Sequence, residues 1–320
     1  KENKKIVFFL NPPYASGKNG NGKGSKIDAI ESVVSKQMKN EKINGETQNL
    51  YTQFLYRIFK LKQYYSLTNT CIAIFSPTLF LSSGSFMKFR KSFFKEFNFI
   101  DGVQFKASHF ADVSDKWGIS FSIWDCGEQL DKNKFQYKLI DCINGKIEVI
   151  SHKDVYNVDD NETASEWVNK SLKGLKRQDA VQLSSGINVK QKGYGTIIPN
   201  SLGSFVNNSN NVDMNVQNVC LFTSSFSGFA NVSILPSNFS RCTSLFSARR
   251  LIDKNWINSK DEYIAPNEQH PLFNEFVNDS VVYSLFESKS NQSSLRQIEY
   301  KDKLWDIKNE FCWYDINMVK

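Results

Sequence analysis

Four consecutive residues, Asn11, Pro12, Pro13 and Tyr14, combine groups suited to one kind of chemistry. An exocyclic aromatic amine such as N6 of adenine is a poor nucleophile, because its lone pair is delocalised into the ring. Two acceptors aimed at its N–H bonds draw the nitrogen toward tetrahedral geometry and free that pair. The side-chain oxygen of Asn11 is one acceptor. The carbonyl of Pro12 is the other, held stiffly by a Pro-Pro step that has no N–H of its own to compete. Tyr14 adds a flat face for stacking. Fixed dipoles of this kind lower a barrier without reorganising during the reaction.

The turn follows the apolar run Ile6-Val7-Phe8-Phe9-Leu10. That run is short, rich in β-formers and stopped by two prolines, so it reads as a buried strand. A doubly wound α/β sheet keeps its chemistry just beyond the carboxyl end of a strand.

With Leu50–Leu55, Cys71–Pro77 and the stretch His109–Val113 through Trp117–Trp124, the Asn-Pro-Pro-Tyr turn resembles the amino-group DNA methyltransferases of the N6-adenine type. The resemblance covers residues 1–130 well and the rest loosely. It implies S-adenosyl-L-methionine as cofactor, double-stranded DNA as substrate, extrusion of the target base, and a restriction-modification or related defence setting. It also implies a catalytic role for Asn11, Pro12, Pro13 and Tyr14, with the base stacked between Tyr14 and Phe110 and with Asn11 and Tyr51 near the cofactor. The family binds that cofactor mainly through a glycine-rich strand–turn–helix upstream of the catalytic turn. No acidic-x-Gly-x-Gly strand occurs in this chain, so the expectation is a fragment: an incomplete Rossmann-like methyltransferase sheet at 1–130, then an α+β target-recognition domain at 131–320. Its partners would be an upstream part of the same protein or restriction subunits. Related turns serve RNA bases and glutamine amides. The long tail favours duplex DNA, and a DNA-binding fragment without activity is the reading outside catalysis.

At 320 residues, 40% hydrophobic and 14% aromatic, the chain has material for about two cored domains. No apolar run reaches the roughly 18 residues of a membrane span, and no signal peptide is visible. The six cysteines are scattered without a C-x-x-C pair, which points to reduced thiols of a cytoplasmic protein and against a zinc site or disulfide frame. The chemistry itself calls for no metal. The net charge of +7 lies wholly in residues 1–130, with 18 basic against 11 acidic groups. A polyanionic substrate and the solubility of a lysine-rich chain both account for it.

The positioning elements follow from pattern. Residues 15–48 are polar, with glycines interleaved with Lys18, Lys23 and Lys26. That stretch is either a loop closing on phosphates or a surface insertion, and 27–38 reads as a short helix within it. Residues 49–62 carry Leu50, Phe54, Ile58 and Leu61 on one helical face; Tyr51 reads as core by packing. Strands are expected at 71–76, 99–106 and 117–124, and a helix at 85–97 with its cationic residues in solvent. Phe110 by spacing is either a core plug or one slice of a base sandwich. His109 is a hydrogen-bonding neighbour. Beyond 131, Asn144-Gly145 signals a hairpin and Thr163-x-x-Glu166 a capping box. Lys170 and Lys173 form a basic flank, either DNA-contacting or merely solvated, and Arg249-Arg250 reads as a phosphate clamp. Helices are expected at 244–256, 272–287 and 295–312.

Overall fold

The computed structural model describes residues 4–13, 32–43, 47–110, 112–180, 195–207, 209–212, 219–222, 231–287, 289–290 and 298–305. Two compact units divide the chain, Lys1–Asn161 with Lys254–Glu262, and Glu162–Asp253 with Tyr263–Lys320.

The first unit is a six-stranded mixed sheet with helices. Strand β1 (Ile6–Leu10) is followed by α1 (Val33–Asn40), capped at Ser32, whose hydroxyl accepts from the Ser35 amide at 2.9 Å. Helix α2 (Leu50–Tyr65) leads into β2 (Thr70–Ser76), which runs parallel to β1 with Leu10 opposite Ile74. The short α3 (Leu79–Ser82) and α4 (Met87–Phe93) precede β3 (Phe97–Lys106), β4 (Gly118–Cys126), β5 (Lys134–Ile143) and β6 (Lys146–Tyr156). The sheet order is β1-β2-β4-β3-β5-β6, with β4 antiparallel to both neighbours and β5 parallel to β3.

Alternation along the strands sorts their two faces. Phe8, Leu10, Ile72, Ile74 and Trp124 pack in one core with Leu55, Ile58, Phe80, Phe86 and Phe93 from the helices. On β4 the polar-looking side is the deep one: Ser120, Ser122 and Trp124 are all fully buried. The serines are satisfied there, since the Ser120 hydroxyl donates to the Ser76 carbonyl at 2.7 Å and Ser122 accepts from the Trp124 indole at 2.9 Å. On α2 the buried side is Tyr51, Leu55, Ile58 and Phe59, while the expected anchor Phe54 is 44% exposed.

Four expectations change in this unit. The apolar run Ile6–Leu10 forms a strand but not a buried one: β1 is an edge strand of the sheet, with Ile6, Val7 and Phe9 exposed. The helix expected at 85–97 stops at Phe93, and Phe97 already belongs to β3, where it packs in the core. Arg90 on that helix is not solvated. Its guanidinium is fully buried, pairs with Asp159, and donates to the carbonyls of Phe80 at 2.9 Å and Ser83 at 2.6 Å. The hairpin β5–β6 turns at Asn144 and Gly145, both at positive φ, as a two-residue turn requires. It extends the first sheet past residue 130, because Val103 and Gln104 of β3 pair with Lys138 and Leu139 of β5.

A strap from 254 to 262 also belongs to the first unit. Gln104 donates to the carbonyls of Trp256 and Ile257 at 3.1 and 3.0 Å, and Ser259 accepts from the Gly118 amide at 3.2 Å. Ser82 donates to the Lys260 carbonyl at 2.7 Å, and Lys153 pairs with Asp261 at 2.7 Å.

The second unit opens on α5 (Ala164–Asn169), where Thr163 and Glu166 close both halves of the expected capping box. Strand β7 (Gln178–Ala180) pairs with β8 (Gly195–Ile197), and β9 (Gly203–Val206) lies between β10 (Cys220–Phe222) and β11 (Asn231–Ile234). Helices α6 (Phe239–Leu251) and α7 (Phe273–Phe286) follow. Trp167, Val168, Phe205, Val232, Leu245 and Phe246 form the core. The last expected helix, 295–312, is contradicted over its described part: β12 (Ile298–Tyr300) and β13 (Lys303–Trp305) form a hairpin through Lys301 and Asp302, both at positive φ. Among the described residues, no helix is long and apolar enough to cross a membrane.

Candidate nucleobase site

Because β1, β2 and β3 run in the same direction, their carboxyl ends form one rim. Asn11 to Pro13 leave β1 there, Ser76-Pro77 leaves β2, and the turn Ala107–His109 leading to Phe110 leaves β3. Asn11 is exposed, Pro12 is buried and Pro13 is exposed. The buried proline anchors the turn while the asparagine next to it faces outward. Tyr14, Lys18, Lys23 and Lys26 lie outside the described residues.

Phe110 is 71% exposed, which sets aside its reading as a core plug. Its ring rests against Phe105 at 5.0 Å and Phe75 at 6.1 Å between centroids. Phe75 also meets Phe9 edge-on at 6.2 Å and Phe121 at 4.7 Å. An aromatic row therefore runs from Phe9, two residues before Asn11, to Phe110. Phe9 is 68% exposed, so the row is open on one side.

Behind Phe110, Asp141 of β5 binds the turn. Its carboxylate accepts from Lys106 at 2.8 Å, from the Cys142 amide at 2.9 Å, and lies 2.9 Å from His109 Nε2. The Lys106 hydrogen bond, followed by those of His109 and the Cys142 amide, outweighs partial burial and holds the Asp141 carboxyl down at about 2. Asp141, Phe75 and Phe9 were not singled out from sequence. The usable signal for Asp141 is an acid interrupting the apolar run Leu139-Ile140-x-Cys142-Ile143.

Other expected site residues stand apart from the rim. Tyr51 is a core residue, 2% exposed and stacked on Phe86 at 6.2 Å with Phe80 alongside, as its packing reading expects. Arg249 is no phosphate clamp. It is 1% exposed and donates to Asn207 Oδ1 at 2.5 Å and to the carbonyls of Ser209 and Asn211, with Tyr263 under its guanidinium. Arg250 is spoken for by Glu287 at 3.0 Å. Helix periodicity does not show which arginines a fold turns inward to tie its own loops. Lys170 and Lys173 are exposed, and Lys170 pairs with Glu162 at 3.3 Å. Among the described residues no cluster of His, Cys, Asp and Glu could hold a metal ion.

Neither a protein-family model nor a curated protein matches the chain. Among solved structures, a modification subunit of a putative type I restriction enzyme from Vibrio vulnificus YJ016 is similar over 44% of this chain, at 19% identity and a TM-score of 0.30. A DrdV–DNA complex is similar over 65%, at 15% identity and a TM-score of 0.32. The matches span only 26% and 23% of those two chains. Likeness at this level carries no functional weight, and the site has to be read from its own geometry.

Proposed function

We propose that this rim is the amino-group site of an S-adenosylmethionine-dependent DNA methyltransferase acting on N6 of adenine, within a restriction-modification or related system. The observation that carries the reading is the sharing of one rim by an outward Asn11 beside a buried Pro12 and an outward Phe110 at the end of an aromatic row. A target adenine swung out of a duplex leaves its neighbours' stacking and needs a replacement surface. Phe110, with Tyr14 as its counterpart, supplies one. The Asn11 side-chain oxygen and the Pro12 carbonyl then each accept one N–H of the amino group. The lone pair turns out of the ring plane, and the positive charge that grows on the nitrogen is met by the same two oxygens.

No described residue is assigned to cofactor binding. Tyr51, the residue expected to help, has its ring packed between phenylalanines. No step is therefore assigned to cofactor contacts, and the chain's own work is to bind the base and orient its nitrogen.

The test is transfer of a labelled methyl group from S-adenosylmethionine to duplex DNA, RNA and peptide, offered in competition, with the product identified by mass spectrometry. The expected product is N6-methyladenine in DNA, formed roughly a hundred- to a thousandfold more slowly with Asn11→Ala. Label in RNA or on glutamine would replace the substrate class. Duplex binding with no transfer under any condition would leave a DNA-binding module.

A further inference from the structure

We propose that Asp141 is a positioning residue that fixes the base-stacking face of Phe110, an inference that rests on the nucleobase reading of the rim. Phe110 closes a three-residue 3-10 turn, its amide donating to the Ala107 carbonyl at 3.0 Å. A single turn of this kind is weak by itself, and a ring that is 71% exposed gains little from burial. Something else has to hold the ring's angle. Asp141 grips both ends of the turn: Oδ2 takes Lys106, which precedes it, and Oδ1 meets His109, its last residue. A carboxylate has no proton to give, so the imidazole donates from Nε2. Just before Asp141 the β5–β6 register shifts, Leu139 facing Ser151 and Ile140 facing Val149, so that Ile150 of β6 is an extra residue and the pairing is irregular there. The Cys142 amide then pins the carboxylate to its own strand. Asp141 itself need touch no substrate; it acts through the turn.

The experiment uses the full 320-residue chain and two single-stranded oligonucleotides, one with 2-aminopurine at a central position and one abasic there. Stacking quenches the 2-aminopurine, while the abasic strand reports backbone binding alone. Phe110→Ala and Asp141→Ala are each expected to weaken binding of the 2-aminopurine strand roughly tenfold, the scale of one lost stack. The abasic strand should bind them like the unmodified protein, and the double variant should be no weaker than Phe110→Ala alone. Asp141→Asn, which keeps the shape and loses the charge, carries the comparison if the alanine variant unfolds. Normal quenching by both Asp141 variants beside a defective Phe110→Ala would overturn the positioning role and leave the stacking site standing. Equal weakening of both strands would make Asp141 a general structural residue and also overturn it. No quenching by the unmodified protein, or none lost with Phe110→Ala, would remove the stacking site and this role with it.

Discussion

Phe75 and Phe110 stand with ring centroids 6.1 Å apart and planes tilted by 56°, although Phe75 lies on β2 and Phe110 on the turn after β3, two strands that are not neighbours in the sheet. β4 runs between them and fills the gap with Phe121, 4.7 Å from Phe75. The aromatic row is thus a product of strand order. It ties the end of β3 to the end of β1, where Asn11 lies, and makes one surface out of residues a hundred positions apart.

Asn11 is the residue on which the chemistry turns. Replacing it with alanine is expected to lower methyl transfer on the order of a hundred- to a thousandfold, the usual loss for one fixed dipole at a developing charge. Asn11→Asp keeps an acceptor oxygen and should retain more activity than the alanine variant. Single-turnover assays on duplex substrate would order the three proteins, and equal rates for all of them would remove Asn11 from the mechanism.

Arg249 should behave as a structural residue. Arg249→Ala removes the donor to the buried Asn207 Oδ1 and to the half-buried carbonyls of Ser209 and Asn211, and the buried acceptor by itself costs about 1–3 kcal/mol. Urea denaturation should show that loss, while the salt dependence of DNA binding stays unchanged. Lys170→Ala and Lys173→Ala are expected to cost little stability; each would reduce the salt slope by about one only where that lysine meets a phosphate.

The parts of the fold legible in the sequence were those written in short-range pattern. The apolar run before Asn11, the alternation of β4, Asn144-Gly145 and the Thr163–Glu166 box each specify their structure within about ten residues. What could not be read depends on distant partners. Arg90 looked solvated because its acceptor, Asp159, lies 69 residues away in the turn after β6. Arg249 looked like part of a phosphate clamp because Asn207 and Ser209 are far away in sequence. The hairpin at Lys301-Asp302 carries no glycine, so nothing local announced its positive φ values. At the rim, Asn11 and Phe110 were named from their motif, whereas Asp141 and Phe75 emerge only once the strands are ordered.

The Asp141 network has a defined pH signature. Its folded carboxyl is held at about 2, below the roughly 3.9 of an unfolded chain. The stabilisation is therefore fully present above about pH 4 and is lost as pH falls toward 2. The melting-temperature gap between the unmodified protein and Asp141→Asn should stay constant from about pH 8 to 5 and close below about 4. A gap that persisted unchanged down to about pH 2 would mean that the carboxylate charge of Asp141 is not what stabilises the turn.

The strap at 254–262 depends on a glycine. A Cβ on Gly118 would collide with the Trp256 carbonyl, and it is the Gly118 amide that donates to Ser259. Backbone cannot swing aside as a side-chain tip does, so Gly118→Ala should lift the strap at a cost of about 1–3 kcal/mol. Gly84→Ala is the matched control, because its added methyl meets only Val158 Cγ2 at 3.6 Å, an ordinary contact. Hydrogen exchange should then show protection lost from peptides covering 254–262 in the first variant and kept in the second. Since Gln104 and Gly118 hold the strap beside the ends of β3 and β4, the same variant should also loosen the rim that carries Phe110. Unchanged exchange in Gly118→Ala would mean that the strap is held by its other contacts, among them Gln104, Ser82 and Lys153.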